Sequence, residues 1–408
     1  MGQKSKAMTL VKNLLDNHYK EVNMAKERGE LVGWSTSIFP QEIAETFGLH
    51  VLYPENHAAA VAAKHESLKV CEVAESKGYS IDICSYARVN LGYVDLKKIE
   101  SINMPQPDFI LCCNNICNTV IKWYENIAKE LNIPMILMDT PFNSEYEITQ
   151  ERIDYFKGQL QEAIRKLEEI TGKKFDQKRF EEVMKISTEA GNLWKGSMSL
   201  TKAIPAPMNG FEMFNYMAVI VCARGKKETV EIFKTLIDEL QERIDKGETS
   251  YRGEQKHRIM FEGIPCWPYL SYKLRSLNDK GINMVGSVYT DAWALQYESN
   301  DLDGMAKAYC SIMNNVNLDR QVDMRAKVIR DFKCDGAIYH MNRSCKLMDF
   351  MQYELERRVE AKTNVPYIGF DGDQADPRNF TKAQFETRVQ GLAEVMEERK
   401  NVGGVKHE

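Results

Sequence analysis

The stretch FILCCNNICN, residues 109–118, packs three cysteines into six positions, and seven more are scattered through the rest of the 408-residue chain. A thiolate can act as nucleophile, redox group or soft metal ligand, and its surroundings decide which. Cys112 and Cys113 end an apolar run that reads as a strand. Successive strand side chains face opposite ways, so the two cannot share a site, and they read as core residues. Cys117 follows the turn formers Asn114 and Asn115 and opens a helix, whose free N–H groups and dipole favour a thiolate. Cys345 occupies the same place in HMNRSCKL, with Arg343 and Lys346 expected to lower its pKa further. Cys84, in YSIDICSYARVNLG, is placed in a polar loop after a short strand. Cys71, Cys222, Cys266, Cys310 and Cys334 fall on apolar helix faces or strand edges and read as packing residues.

Three dispersed loop thiolates suit a zinc ion or an iron–sulfur cluster. No C-x₂-C pair exists, which argues against a zinc ribbon, and the spacings fail the ferredoxin patterns. A cluster held by three cysteines would leave one iron an open position, suited to catalysis more than to plain electron transfer. A zinc-stabilised binding protein stays open on these residues alone.

Two oxygen donors join them. Ser37 in WSTSIFP follows the first strand, either as a substrate contact or as the N-cap of a helix near Pro40. Glu55 in LYPENH ends the next strand, either as a proton-transfer group or as a first-turn acid favoured by the helix dipole. Glu262 and Cys266 in FEGIPCWPY are expected at the place in the second half that matches Ser37, where they could line the pocket. Arg224, Lys226 and Lys227 in ARGKKE are candidates for phosphate contacts or a solvated helix start. His57 reads as a solvated loop histidine.

The elements that must position these residues are legible as alternating strands and helices. LVGWST, HVLYP, DFILCC and PMILMDT read as strands, and NTVIKWYENIAKEL puts Val120, Ile121, Tyr124, Ile127, Ala128 and Leu131 on one helical face. Residues 147–246 are almost wholly helical in pattern. Strands return at HRIMFEG, INMVGSVY, DGAIYHM and PYIGFDG, and Thr381 with Gln384 is expected to form a capping box on a terminal helix. The halves repeat one order: Asp108 or Asp335, apolar strand, Asn, Cys, helix, Asn-x-Pro, apolar strand, Asp. The fold class is therefore α/β, with two related open parallel-sheet domains, flavodoxin- or Rossmann-like, over 1–146 and 247–408. A helical layer over 147–246 joins them, and the site lies between them at the C-terminal strand edges.

Bulk properties exclude several functions. A net charge of −5, with basic residues dispersed, leaves no footprint for nucleic acid. The longest apolar run, YMAVIVCA, is too short to span a membrane, and MGQKSKAMTLVKNLL lacks a signal peptide's apolar region. A cytoplasmic protein is expected, so the cysteines are not a disulfide framework.

Taken together, GWSTSIFPQEI, VLYPENHAA, ICSYARVNLG, LCCNNICN, HMNRSCK and GFDGDQADPR closely resemble the α subunits of 2-hydroxyacyl-CoA dehydratases, most of all the 2-hydroxyisocaproyl-CoA and phenyllactyl-CoA branch, over essentially the whole chain. The superfamily includes benzoyl-CoA reductase subunits. The resemblance implies a [4Fe–4S] cluster on Cys84, Cys117 and Cys345, whose fourth iron takes water at rest and the substrate's thioester carbonyl in turnover. It implies a heterodimer with a homologous β subunit and an ATP-hydrolysing iron–sulfur activator that injects one electron. It also makes Ser37 the candidate for a hydrogen bond to the substrate or to the iron-bound water. The chemistry explains the equipment: the β-hydrogen of a 2-hydroxyacyl-CoA is not acidified by the thioester, whereas the ketyl formed by one electron expels the hydroxyl and leaves that hydrogen acidic. The electron returns at the end, so the net reaction is dehydration to (E)-2-enoyl-CoA. A benzoyl-CoA reductase-type subunit and an electron-relay subunit are the alternatives within the same family.

Overall fold

Apolar runs long enough for both faces of a strand to be covered imply parallel sheets under helices, and the computed structural model, which describes residues 5–402, contains two. The first holds β1 (Val32–Ser35), β2 (His50–Leu52), β3 (Phe109–Cys113) and β4 (Met135–Met138) in the order β2-β1-β3-β4. The second holds β5 (His257–Glu262), β6 (Ile282–Gly286), β7 (Gly336–Asn342) and β8 (Tyr367–Gly372) in the order β6-β5-β7-β8. All pairs are parallel. The topologies are identical, strand for strand.

The repeat is visible down to single hydrogen bonds. The Asp108 carboxylate accepts from Val32 N–H at 2.9 Å while Asp108 N–H donates to the Val32 carbonyl at 2.7 Å. Asp335 does the same with Arg258, at 2.8 and 2.7 Å. Each aspartate thus closes the N-terminal edge of its central strand pair. Asn132 and Asn364 end the following helices, Asn118–Leu131 and Lys346–Thr363, in the left-handed conformation, at φ +52° and +53°. Asparagine tolerates that region, and the Pro two residues on stops the helix. The Asn-x-Pro of the repeat is a helix exit.

Between the sheets in sequence come helices Gln150–Thr171, Gln177–Ser199, Met213–Ala223 and Lys227–Lys246. Met213–Ala223 is apolar nearly all round and is buried. Helix Asn118–Leu131 buries Val120, Trp123, Tyr124, Ile127 and Ala128, so Trp123 takes the place expected of Ile121. Thr381 is the N-cap of helix Lys382–Asn401 but makes no side-chain capping bond, against the expected box. Among the described residues, no helix is long and apolar enough to cross a membrane.

Candidate functional site

The C-terminal edges of both sheets open on one cavity of about 1310 Å³. Ser37 lies two residues beyond β1, Glu55 three beyond β2, Cys117 four beyond β3 and Cys345 three beyond β7, and all four line it. Cys84 lines it too, from no sheet edge. The strand expected before Cys84 is absent. Turns precede it, and Cys84 is the N-cap of helix Ser85–Leu96. Cys117 and Cys345 are the N-caps of their helices as well. Three thiols therefore sit at three helix N-termini, where unpaired backbone N–H groups point outward.

Helix Ser85–Leu96 reaches the second sheet because polar side chains fasten it there. Ser85 Oγ donates to Asp373 at 2.5 Å, and Ser85 N–H donates to Ser344 Oγ at 3.1 Å, next to Cys345. The fully buried Arg88 guanidinium bonds Asp376 at 2.8 Å and Glu75 at 2.7 Å. Gly92 lets the helix lie against Ser67–Ser76, since a Cβ there would come within 2.1 Å of the Val70 carbonyl oxygen. No spacing signal marks this clamp.

Burial sets the state of the thiols. The Cys84 thiol is pushed up to about 12 by desolvation, opposed by the N–H groups of Ala87 and Tyr86. Cys117 is raised by desolvation against the N–H groups of Val120 and Thr119. Cys345 is raised by desolvation and then by the neighbouring Cys84, with Cys117 adding to it. The expected lowering by Arg343 and Lys346 does not prevail: Arg343 pairs with Asp371 at 2.7 Å, and Lys346 donates to the Arg343 carbonyl at 2.8 Å. All three sulfurs face the cavity and feel one another. Without a metal they are thiols at neutral pH, and a metal's charge would be what removes the protons.

Glu55 stands in the first turn of helix Pro54–Ala63, where the dipole favours an acid, and it also lines the cavity. Its carboxylate accepts from Ser37 N–H at 3.1 Å and from Tyr124 Oη at 2.7 Å. Desolvation raises its pKa, and these bonds only partly oppose the rise. Tyr124 Oη can also donate to the Ser35 carbonyl, at 3.2 Å. The Ser37 hydroxyl lies close enough to Glu55 to affect its ionisation, yet makes no bond of proper geometry and is buried without a partner. Pro40, not Ser37, is the N-cap of the next helix.

Other expected residues lie elsewhere. Glu262 is buried against Arg325 at 2.5 Å, and Cys266 is buried beside Lys273; neither lines the cavity, and the wall there is Ile264 and Trp267. Arg224 is buried and donates to the Trp293 and Leu295 carbonyls, so it is no phosphate contact. Lys226 pairs with Glu45 at 2.8 Å, and Lys227 is exposed. His57 is not solvated: it is fully buried, with Nε2 against the Ile102 carbonyl, and desolvation lowers its pKa to about 4. Cys112 and Cys113 are fully buried on opposite faces of β3, in separate core clusters. Sequence reasoning missed Tyr124, counted only as a core face, and Gln374 beyond β8, which lines the cavity with an amide donor to Cys84.

The donor set fits an iron–sulfur group. Cys84, Cys117 and Cys345 are the only cysteines in the lining, so a cluster there would receive three thiolates. Among the described residues no three His, Cys, Asp or Glu side chains are gathered around a single metal position. A cubane spreads its thiolates more widely.

A family model described as 2-hydroxyglutaryl-CoA dehydratase, D-component, matches residues 36–396. The chain is 63% identical over 403 residues to the (R)-2-hydroxyisocaproyl-CoA dehydratase alpha subunit of Clostridioides difficile, covering 98% of this chain and 99% of that one. It is 52% identical over 376 residues to the (R)-phenyllactyl-CoA dehydratase alpha subunit of Clostridium sporogenes, covering 92% of each. A third relative, (R)-2-hydroxyglutaryl-CoA dehydratase, subunit alpha, of Acidaminococcus fermentans, is 40% identical over 466 residues, covering 96% of this chain and 97% of that one.

Proposed function

The chain belongs to the 2-hydroxyglutaryl-CoA dehydratase D-component family, and we propose that it is the α-type subunit of a cytoplasmic 2-hydroxyacyl-CoA dehydratase converting an (R)-2-hydroxyacyl-CoA to the (E)-2-enoyl-CoA. The observation that carries this reading is the convergence of three thiols at helix N-termini with Ser37 and Glu55 on one cavity.

Cys84, Cys117 and Cys345 would hold a [4Fe–4S] cluster, which when bound supplies a one-electron donor and a Lewis acid for a carbonyl. The rest is the work of side chains. Glu55, kept protonated to higher pH than an ordinary carboxyl, can deliver a proton to the departing hydroxyl. Tyr124 follows the change: it donates to the carboxylate, and when Glu55 carries the proton it can turn its own to the Ser35 carbonyl. The unpartnered Ser37 hydroxyl supplies a donor for a substrate oxygen. Trp123, Phe214, Trp267 and Tyr289 line the same space, exclude water and suit a bulky apolar acyl group. Because the relatives are alpha subunits, the working enzyme would pair this chain with a homologous β subunit and take its electron from an ATP-hydrolysing iron–sulfur activator.

The test is turnover of the anaerobic heterodimer with activator, ATP and 2-hydroxyisocaproyl-CoA, followed by chromatography of the CoA esters. Enoyl-CoA formation is expected. Reduction of benzoyl-CoA without dehydration would give the reductase-type alternative, and a cluster EPR spectrum of this chain that substrate leaves unchanged would leave an electron-relay subunit of the same complex.

A further inference from the structure

Only one of the three candidate ligand sulfurs receives a hydrogen bond from a side-chain amide. Gln374 Nε2 donates to Cys84 Sγ at 3.0 Å, from the loop two residues beyond β8. Gln374 is fully buried and lines the cavity. Its amide and its backbone are each held by a bond. Asn342 Nδ2 donates to Gln374 Oε1, so the Gln374 amide can turn its oxygen to the sulfur only if Asn342 turns with it. The Gln374 carbonyl accepts from Trp267 N–H at 3.1 Å, which fixes the backbone. Asn342 in turn accepts Cys345 N–H at 3.0 Å on its own carbonyl. One chain of bonds therefore links Cys345, in the second half, through Asn342 and Gln374 to Cys84 in the first.

We infer that Gln374 is a positioning residue whose amide N–H, aimed by Asn342, stabilises the electron-rich state of a cluster bound through Cys84 and raises its reduction potential. The physical basis is general. Adding one electron from a low-potential donor increases negative charge on the cluster and its ligand sulfurs, so an N–H···S bond strengthens on reduction and favours the reduced form. The inference rests on the cluster reading above and adds to it a residue outside the ligand set. Asn342 would act only through Gln374.

The experiment is an anaerobic redox titration with dithionite, followed by EPR, on the reconstituted holoprotein with its partner subunit, with iron and sulfide measured on each sample. Gln374→Leu and Asn342→Leu should keep the wild-type iron and sulfide and shift the midpoint potential to more negative values. The double variant should shift no further than Gln374→Leu alone, because the second residue works through the first. A bulky leucine could impair loading, so Gln374→Glu, of nearly the same volume, is run beside it and should also shift the potential down. Loaded Gln374 variants with the wild-type potential would overturn the inference and leave the cluster reading intact, and additive shifts in the double variant would overturn the role of Asn342. Failure of the wild-type protein to take up iron and sulfide would overturn both.

Discussion

Glu55 and Ser37, unlike the buried His57, line the cavity. The Glu55 carboxyl is raised by desolvation, so it holds its proton to higher pH than an exposed glutamate, and turnover that uses that proton should decline as pH rises through the raised value. Glu55→Gln keeps the shape and loses the proton. It should lower turnover by about 100-fold or more with iron retained, in line with a lost general acid. Ser37→Ala should lower turnover less, again with iron retained, because a single neutral donor is worth only about 1 kcal/mol. Turnover at the wild-type level in both would return them to structural roles. His57 is the contrast, since its place is in the packing. Its folded pKa, about 4, lies below the ordinary 6.5, so as pH falls through this window the unfolded chain takes up the proton first and the stability His57 contributes is lost. His57→Gln should therefore cost stability at pH 7, and the difference from wild type in urea unfolding should narrow by about 2 kcal/mol at pH 5. A gap that does not change with pH would contradict this account of His57.

Elements explain why some of this was readable in advance. All eight strands were legible, because parallel strands buried on both faces are short apolar runs bounded by turn residues. The repeat was legible because Asp, Asn-x-Pro and the helix-opening Cys each have a local backbone job that recurs in both halves. That equivalence makes a prediction: Asp108→Ala and Asp335→Ala each strip the acceptor from a backbone N–H at the same strand junction, and each should cost about 1–3 kcal/mol in urea unfolding. A loss at one and none at the other would break the equivalence. What was not legible came from long-range contact. Cys84 looked like a loop residue because Ser85, Arg88 and Gly92 find their partners at Asp373, Asp376 and Val70, which no local pattern announces. Arg224 looked like a surface cation because its partners are the carbonyls of Trp293 and Leu295, some seventy residues away. The pKa values of Cys117 and Cys345 were misjudged in sign for the same reason: helix N-termini can be read from sequence, but the burial that outweighs them cannot.

At the scale of the whole molecule, two copies of one open sheet present their C-terminal edges to a shared cavity, and the proposed ligand set is divided between them: Cys84 and Cys117 from the first half, Cys345 from the second. On the proposed reading neither half alone would hold the group. The measurement that tests this most directly is iron and acid-labile sulfide in anaerobically purified protein, for wild type and for five alanine variants at Cys84, Cys112, Cys113, Cys117 and Cys345. About four iron and four sulfide per chain are expected for wild type, Cys112→Ala and Cys113→Ala, with the cluster lost in the other three. Stoichiometric zinc without sulfide, or a cluster that survives Cys117→Ala and fails in Cys112→Ala, would contradict the account.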